Sequence, residues 1–256
     1  MRLRCVYTDL DGTLLGAGAS LFRTGGGEFT LLPARALQAC HRAGVEVVCV
    51  SGRRKAQVME DARLLGQDSY VYEIGSGVVV AGEEHLLCGA FTPTDERTPH
   101  QLIEESGAPA LLLSELEGRL EYLHPYHRDR FVSHLFRGTV AAAEANAVLQ
   151  RGGHTGLRLL DNGSPDPASS IFHLVPVETS KVGAVALHMQ ARGYAAGECI
   201  AVGDSVADMA MAEAVGRFFL VANSDASIAH LNVARTEAGH GDGFYEAVLT
   251  ALMDTI

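Results

Sequence analysis

The chain has 256 residues, 20 of them basic and 31 acidic, for a net charge of −11. At roughly 150 residues per domain this length admits one large or two unequal domains, and 47% hydrophobic residues exclude a disordered chain. The acidic balance argues against a phosphate-backbone binder, so no nucleic-acid partner is expected, and no apolar stretch approaches the roughly 20 residues that span a bilayer.

In chain order, Met1-Arg2-Leu3-Arg4 is basic, but the apolar run behind it ends at once in Asp9 and Asp11, so no signal-peptide core exists. Leu3 to Thr8 reads as a buried strand that ends at a polar turn. Pro33 opens a helix over Ala34 to Ala43, and Gly44 closes it. Val45 to Val50 is the next strand, with Ser51-Gly52 at its tip. A helix follows with Val58, Ala62 and Leu65 on one face and Gly66 as its stop, and Ser69 to Ile74 is a third strand. This βαβαβ order implies an α/β fold with a doubly wound parallel sheet.

The middle, 83–177, breaks that rhythm. Helical patches (Thr98 to Ser106, Val140 to Gln150) mix with strand-like runs at Leu111 to Leu113, Gly118 to Leu123, Leu157 to Leu160 and Ile171 to Val175. An inserted α+β domain fits this mixture. The outer rhythm resumes with a helix over Lys181 to Arg192, a strand over Cys199 to Val202, a helix over Val206 to Val215, a strand over Arg217 to Ala222 and a last helix from Phe244 to Met253. The expected organisation is therefore one outer domain, 1–82 with 178–256, interrupted by an insert, 83–177. The five cysteines (Cys5, Cys40, Cys49, Cys88, Cys199) are scattered and form neither a disulfide frame nor a zinc spacing, a reduced pattern that points to the cytoplasm.

The chemistry gathers at strand ends, where parallel sheets hold their ligands. Asp9-Leu10-Asp11-Gly12-Thr13-Leu14 follows the first strand directly. Two like charges about 4 Å apart cost roughly 4 kcal/mol at an effective dielectric near 20, so such a pair calls for a cation or a shared proton. Asp204 follows the strand Cys199 to Val202 on the same sheet edge, and three carboxylates with water suit Mg²⁺. Asp208, four residues on, is either a metal support or simply a favourable acid at a helix start. Ser51 is either an N-cap or an anion ligand. Arg53 and Lys181 stand near helix starts, where a cation opposes the helix dipole unless it serves an anion or a carboxylate.

Together, strand-DLDGTL at Asp9 to Leu14, Ser51-Gly52-Arg53, Lys181 and GDSxxD at Gly203 to Asp208 resemble, in order, the four motifs of the haloacid dehalogenase-like (HAD) phosphatases. The insert resembles the C2-type cap of their Cof-like, sugar-phosphate phosphatase branch, subclass IIB. The resemblance implies a Rossmann-like core and an enzyme that hydrolyses a small phosphorylated metabolite, a sugar phosphate or phosphoglycerate-type ester. By the same resemblance Asp9 is the nucleophile that forms an aspartyl-phosphate, and Asp11 is the acid and then the base. Mg²⁺ is held by Asp9, the Asp11 backbone carbonyl and Asp204, with Asp208 as direct or indirect support. Ser51, Gly52 and Lys181 take the phosphoryl oxygens.

Two departures from the family pattern stand out: Ala207 where relatives often carry Asn, and Glu73-Ile74-Gly75-Ser76-Gly77 where they often carry Glu-Asn-Gly-Ala. The loop Gly16 to Thr30 is either a hairpin flap beside the site or a surface loop. In the insert, His124 to Arg137 concentrates Arg128, Arg130 and Arg137 with three histidines. These either face the site and hold an anionic or polyhydroxylated leaving group, or form a solvated helix face or loop. The rival activities are a phosphomutase that returns the phosphoryl group to its substrate, a receiver-like phosphorylation switch, and a catalytically inert phosphate-binding protein.

Overall fold

In the computed structural model, which describes residues 2–163, 169–228 and 230–254, the sequence rhythm becomes two sheets. The strands and helices β1 (Cys5–Thr8), α1 (Leu32–Ala43), β2 (Glu46–Val50), α2 (Lys55–Leu64) and β3 (Tyr70–Tyr72) alternate as expected, and β4 (Gly77–Val80) and β5 (Glu83–Leu86) follow. Next come α3 (Pro99–Glu105), α4 (Ala108–Glu115), β6 (Leu120–Tyr122), β7 (His134–Gly138), α5 (Ala142–Arg151), β8 (Leu157–Asp161) and β9 (Ser170–Pro176). The last group is α6 (Lys181–Arg192), β10 (Cys199–Gly203), α7 (Val206–Met209), β11 (Arg217–Leu220), β12 (Ala234–Arg235) and α8 (His240–Met253).

Among the described residues the larger sheet runs β12-β11-β10-β1-β2-β3-β4-β5. Pairing is parallel from β12 to β3, and β4 and β5 add an antiparallel edge. Because β1 lies between β10 and β2, the chain winds outward on both sides of it, and the carboxyl end of β1 is the switch point where such sheets hold ligands. Strand alternation divides the core between the two faces. Val6, with Val47 and Val202, packs towards Ala36, Cys40, Phe244 and Ala247 of α1 and α8. Cys5 and Tyr7 face Ala184, Val185 and Met189 of α6. Gly44 ends α1 in the left-handed region (φ 68°), its N–H reaching the Cys40 and His41 carbonyls.

The smaller sheet, β6-β7-β9-β8, is antiparallel and packs on α3, α4 and α5 through Ile103, Leu112, Val148, Phe136 and Phe172. Several local expectations change. Leu111 to Leu113 lies in α4 rather than in a strand: Pro109 sits in the first helical turn, and three leucines are too few to show a period. The segment His124 to Arg137 runs into β7, where Arg137 stands opposite Ile171 on β9. The helix expected over Val206 to Val215 stops at Met209 and tightens into a 3-10 turn over Ala210–Glu213. Glu83–Leu86 pairs with β4 in the larger sheet, so the passage between sheets falls after it and not at 82. Gly16 to Thr30 folds on antiparallel bridges, Gly16 with Ser20 and Arg23 with Phe29. Residues 164–168 of the insert, and 1, 229, 255 and 256 of the outer segments, lie outside the described residues. No helix among the described residues is long and apolar enough to cross a membrane.

Candidate active site

Parallel pairing sets the carboxyl ends of β1, β2 and β10 side by side, and the residues directly after them are Asp9, Ser51 and Asp204. Lys181, the first residue of α6, reaches into this edge. Its Nζ lies 2.8 Å from Asp9 Oδ1 and 2.5 Å from Asp208 Oδ1, with the side chain 2% exposed. A buried ammonium is expensive unless paired. Burial alone would lower the Lys181 pKa, and the two carboxylates more than reverse this, holding it above its ordinary value.

The acids carry the opposite perturbation. Burial raises the Asp9 carboxyl well above its ordinary range against the pull of Lys181, and Asp208 and Asp204 add to the rise. Burial, then the charge of Asp208, pushes Asp204 up to about 7. Three carboxylates whose oxygens approach within 4.8 Å of one another face a single ammonium. The surplus of negative charge and the oxygen-only donor set fit a hard divalent cation such as Mg²⁺.

Asp208 is fully engaged. Its Oδ1 accepts from Lys181, while Oδ2 accepts from Ser205 Oγ at 2.6 Å, Ser205 N at 3.0 Å and Asp204 N at 3.2 Å. Ser205 returns a hydroxyl acceptor to Asp208 N, so the GDSxxD string closes as a capping box on α7. Asp208 thus positions Lys181 and the Asp204 backbone, whereas Asp204 accepts from Thr13 Oγ1 at 2.8 Å through Oδ1. Gly12 is left-handed (φ +85°), and a side chain there would collide with the Asp204 carboxylate.

Asp11 is turned towards Arg53, which donates to it from Nε at 2.7 Å and Nη2 at 2.5 Å while Nη1 holds Asp61 at 2.7 Å. The structure therefore places the Asp11 carboxylate on Arg53 and not on the Asp9–Lys181 cluster. Ser51 is buried, its Oγ accepting from Arg53 N at 3.2 Å.

The smaller sheet comes down on Gly52. A Cβ added there would stand 3.1 Å from Asn162 Nδ2 and 3.2 Å from His173 Nε2. Burial, with Arg130 and Lys181 nearby, pushes His173 well below its ordinary pKa, so it stands there neutral. Arg130 donates from Nη2 to the Gly52 carbonyl at 2.6 Å, from Nε to Ser133 Oγ at 2.8 Å and from Nη1 to Tyr126 O at 3.3 Å. Its guanidinium is buried in a tie between the two sheets and is not free for a ligand. Arg128 is exposed, and its carbonyl accepts from Arg54 Nη1 at 3.3 Å.

Glu73, absent from the sequence-derived site, completes the tie. Fully buried, it accepts from the backbone N–H groups of Phe131 (2.7 Å), Val132 (3.0 Å) and Ser133 (2.7 Å). Its signal in the sequence was an acid at a strand tip with no cation beside it.

Comparison with known proteins agrees with this geometry. Residues 166–248 match the family described as haloacid dehalogenase-like hydrolase. A phosphoglycolate phosphatase of Methanothermobacter thermautotrophicus is 24% identical over 96% of this chain and 97% of its own. One from Methanoculleus marisnigri is 27% identical over 96% of this chain and 95% of its own. The sucrose-phosphatase of Synechocystis, solved with sucrose and phosphate, superposes with a TM-score of 0.66 at 16% identity over 98% of each chain. A Thermoplasma acidophilum protein reaches 0.71 at 16% identity, covering 98% of this chain and 99% of that one. With the strand-end acids, the helix-start lysine and the inserted antiparallel sheet all in place, the chain is similar to the haloacid dehalogenase-like hydrolases in sequence over 166–248 and shares the fold of the solved phosphatase over nearly its whole length, a likeness that supports a phosphoric monoester hydrolase.

Proposed function

We propose that the protein is a Mg²⁺-dependent phosphatase acting on a small phosphorylated metabolite through an aspartyl-phosphate on Asp9. The observation that carries this reading is the buried Lys181 ammonium held between Asp9 and Asp208 at the carboxyl end of β1. With Oδ1 on Lys181, Asp9 Oδ2 is the attacking oxygen. It forms the bond to phosphorus as the ester oxygen leaves with a proton from Asp11. Water then attacks phosphorus, Asp11 takes its proton, and phosphate and the Asp9 carboxylate are restored. Asp11 can serve only when one of its oxygens is released from Arg53.

Ser51, the Gly52 amide and Lys181 receive the phosphoryl oxygens, and Arg53 orients Asp11. Asp9, the Asp11 carbonyl and Asp204 would hold the Mg²⁺, with Asp208 supporting from behind. When bound, the ion neutralises charge on the transferring group. The larger sheet with its helices, through Leu86 and again from 178, acts as the core and the smaller sheet with its helices as the cap, with Asn162, His173 and Arg128 the cap residues nearest the substrate. The naming of relatives across 96% of this chain as phosphoglycolate phosphatases supports a small phosphorylated carboxylic acid as substrate class. The compartment proposed is the cytoplasm.

Phosphate release from phosphoglycolate, 3-phosphoglycerate and hexose phosphates, with and without Mg²⁺, tests the reading. Asp9→Asn is expected to abolish release. Equal rates in wild type and Asp9→Asn would sink the mechanism, and isomerised product without free phosphate would make the enzyme a mutase.

A further inference from the structure

At the amino end of β1, about 13 Å from Asp9 by strand rise, a second polar group lies inside the apolar layer beneath α6. Glu46, Cys5 and Cys199 stand in register across the neighbouring parallel strands β2, β1 and β10. Side chains in register on parallel strands share a face. Helix α6 crosses that face and sets His188 over it, fully buried.

His188 Nδ1 lies 2.8 Å from the Tyr7 hydroxyl. Its Nε2 points at Glu46 Oε1 at 3.4 Å, and both of these atoms are buried without a hydrogen-bond partner. The other Glu46 oxygen is satisfied, accepting from Tyr194 Oη at 2.8 Å and Arg192 Nε at 3.1 Å. One ligand atom each from Cys5, Glu46 and His188 lies within 4.8 Å of the other two.

We propose that Cys5, Glu46 and His188 form a buried site for a divalent transition metal of the zinc class, distinct from the acidic site at the other end of β1. The donor set is one sulfur, one nitrogen and one oxygen, which suits zinc and not magnesium. Ligands roughly 2.0–2.3 Å from a tetrahedral ion stand about 3.3–3.8 Å apart, and the Glu46–His188 separation of 3.4 Å already has that value. Tyr7 on Nδ1 fixes the ring and leaves Nε2 for the ion, as groups behind a ligating histidine commonly do. The ion answers both unpartnered atoms at once and pins β1, β2 and α6 together. On binding, the Cys5 thiol loses its proton to solvent and the thiolate becomes the ligand.

The full chain, loaded with Co²⁺ in excess Mg²⁺, tests this by absorption. One cobalt per chain with a thiolate-to-cobalt charge-transfer band is expected, and Zn²⁺ should bleach it. The band should vanish in Cys5→Ser, weaken at least tenfold in His188→Gln and Glu46→Gln, and persist in Asp204→Asn, which alters only the acidic site. Wild type without the band would overturn the proposal and leave a proton shared by His188 and Glu46 as the account of the cluster. Should Cys5→Ser fail to fold by circular dichroism, an undiminished band in both His188→Gln and Glu46→Gln would overturn it equally.

Discussion

Arg130 Nη2 donates to the carbonyl of Gly52 at 2.6 Å, so a residue from the insert clamps the loop that carries Ser51. The same guanidinium lies 3.9 Å from the Glu73 carboxylate, both side chains almost wholly buried. Removing one member of a buried pair strands the other charge, at about 3–5 kcal/mol. Arg130→Met should therefore lower unfolding stability by about 3 kcal/mol. Its kcat/KM should fall about tenfold or more as the loop loses its position. Urea unfolding and steady-state kinetics read the two effects, and an unchanged midpoint would refute the tie.

Glu73 accepts three successive backbone N–H groups and the Ser133 hydroxyl. Glu73→Ala leaves those donors buried and unmatched, at about 1–3 kcal/mol each before relaxation. Glu73→Gln keeps one acceptor oxygen and should destabilise clearly less. Equal losses in the two variants would show that the side chain's volume, and not its acceptors, matters.

Gly12→Ala should cost activity more than stability. The left-handed backbone adds about 1–3 kcal/mol of strain, but the new methyl also displaces the Asp204 carboxylate. We expect kcat to fall about 100-fold and the Mg²⁺ concentration for half activation to rise. A variant with wild-type Mg²⁺ dependence would count against Asp204 as a metal ligand.

Acid should loosen the insert before it reaches ordinary carboxylates. His100 and His134 are stacked with centroids 3.8 Å apart. Burial lowers both, His134 to about 3, with the neighbouring His100 adding to the His134 shift. The Glu104 carboxylate, half exposed and 3.3 Å from His134 Nδ1, works to raise His100, but burial prevails at both rings. The folded form thus takes up these protons later than the unfolded chain. Stability is complete above about pH 6.5 and is lost as pH falls from there towards the folded pKa, at up to about 1.4 kcal/mol per pH unit per histidine. Unfolding free energies at pH 7.5 and 5.5 measure the slope, which His134→Gln should flatten.

The placement of the strand-end acids was readable because it is local. DLDGTL and GDSxxD each place their acids by a strand end and a tight turn, so Asp9 and Asp204 needed no tertiary knowledge. Non-local partners were not readable. The destination of Arg130 depends on how the smaller sheet lands on Gly52, and that landing leaves no periodic trace. Cys5, Glu46 and His188 lie on three elements, so sequence spacing gave no sign that they gather. Leu111 to Leu113 shows the limit for elements, since three leucines carry no period and only Pro109 marks the start of α4.

The borders of the larger sheet bear on how the protein behaves when concentrated. One border is β12, only two residues long, and the other is β5, which begins Glu83-Glu84-His85. A short strand offers few open backbone groups, and a charged one repels a copy of itself. The antiparallel hairpin β4–β5 therefore shields the apolar parallel strands from edge-to-edge pairing, and replacing Glu83 and Glu84 with valine would turn that border into a template for aggregation.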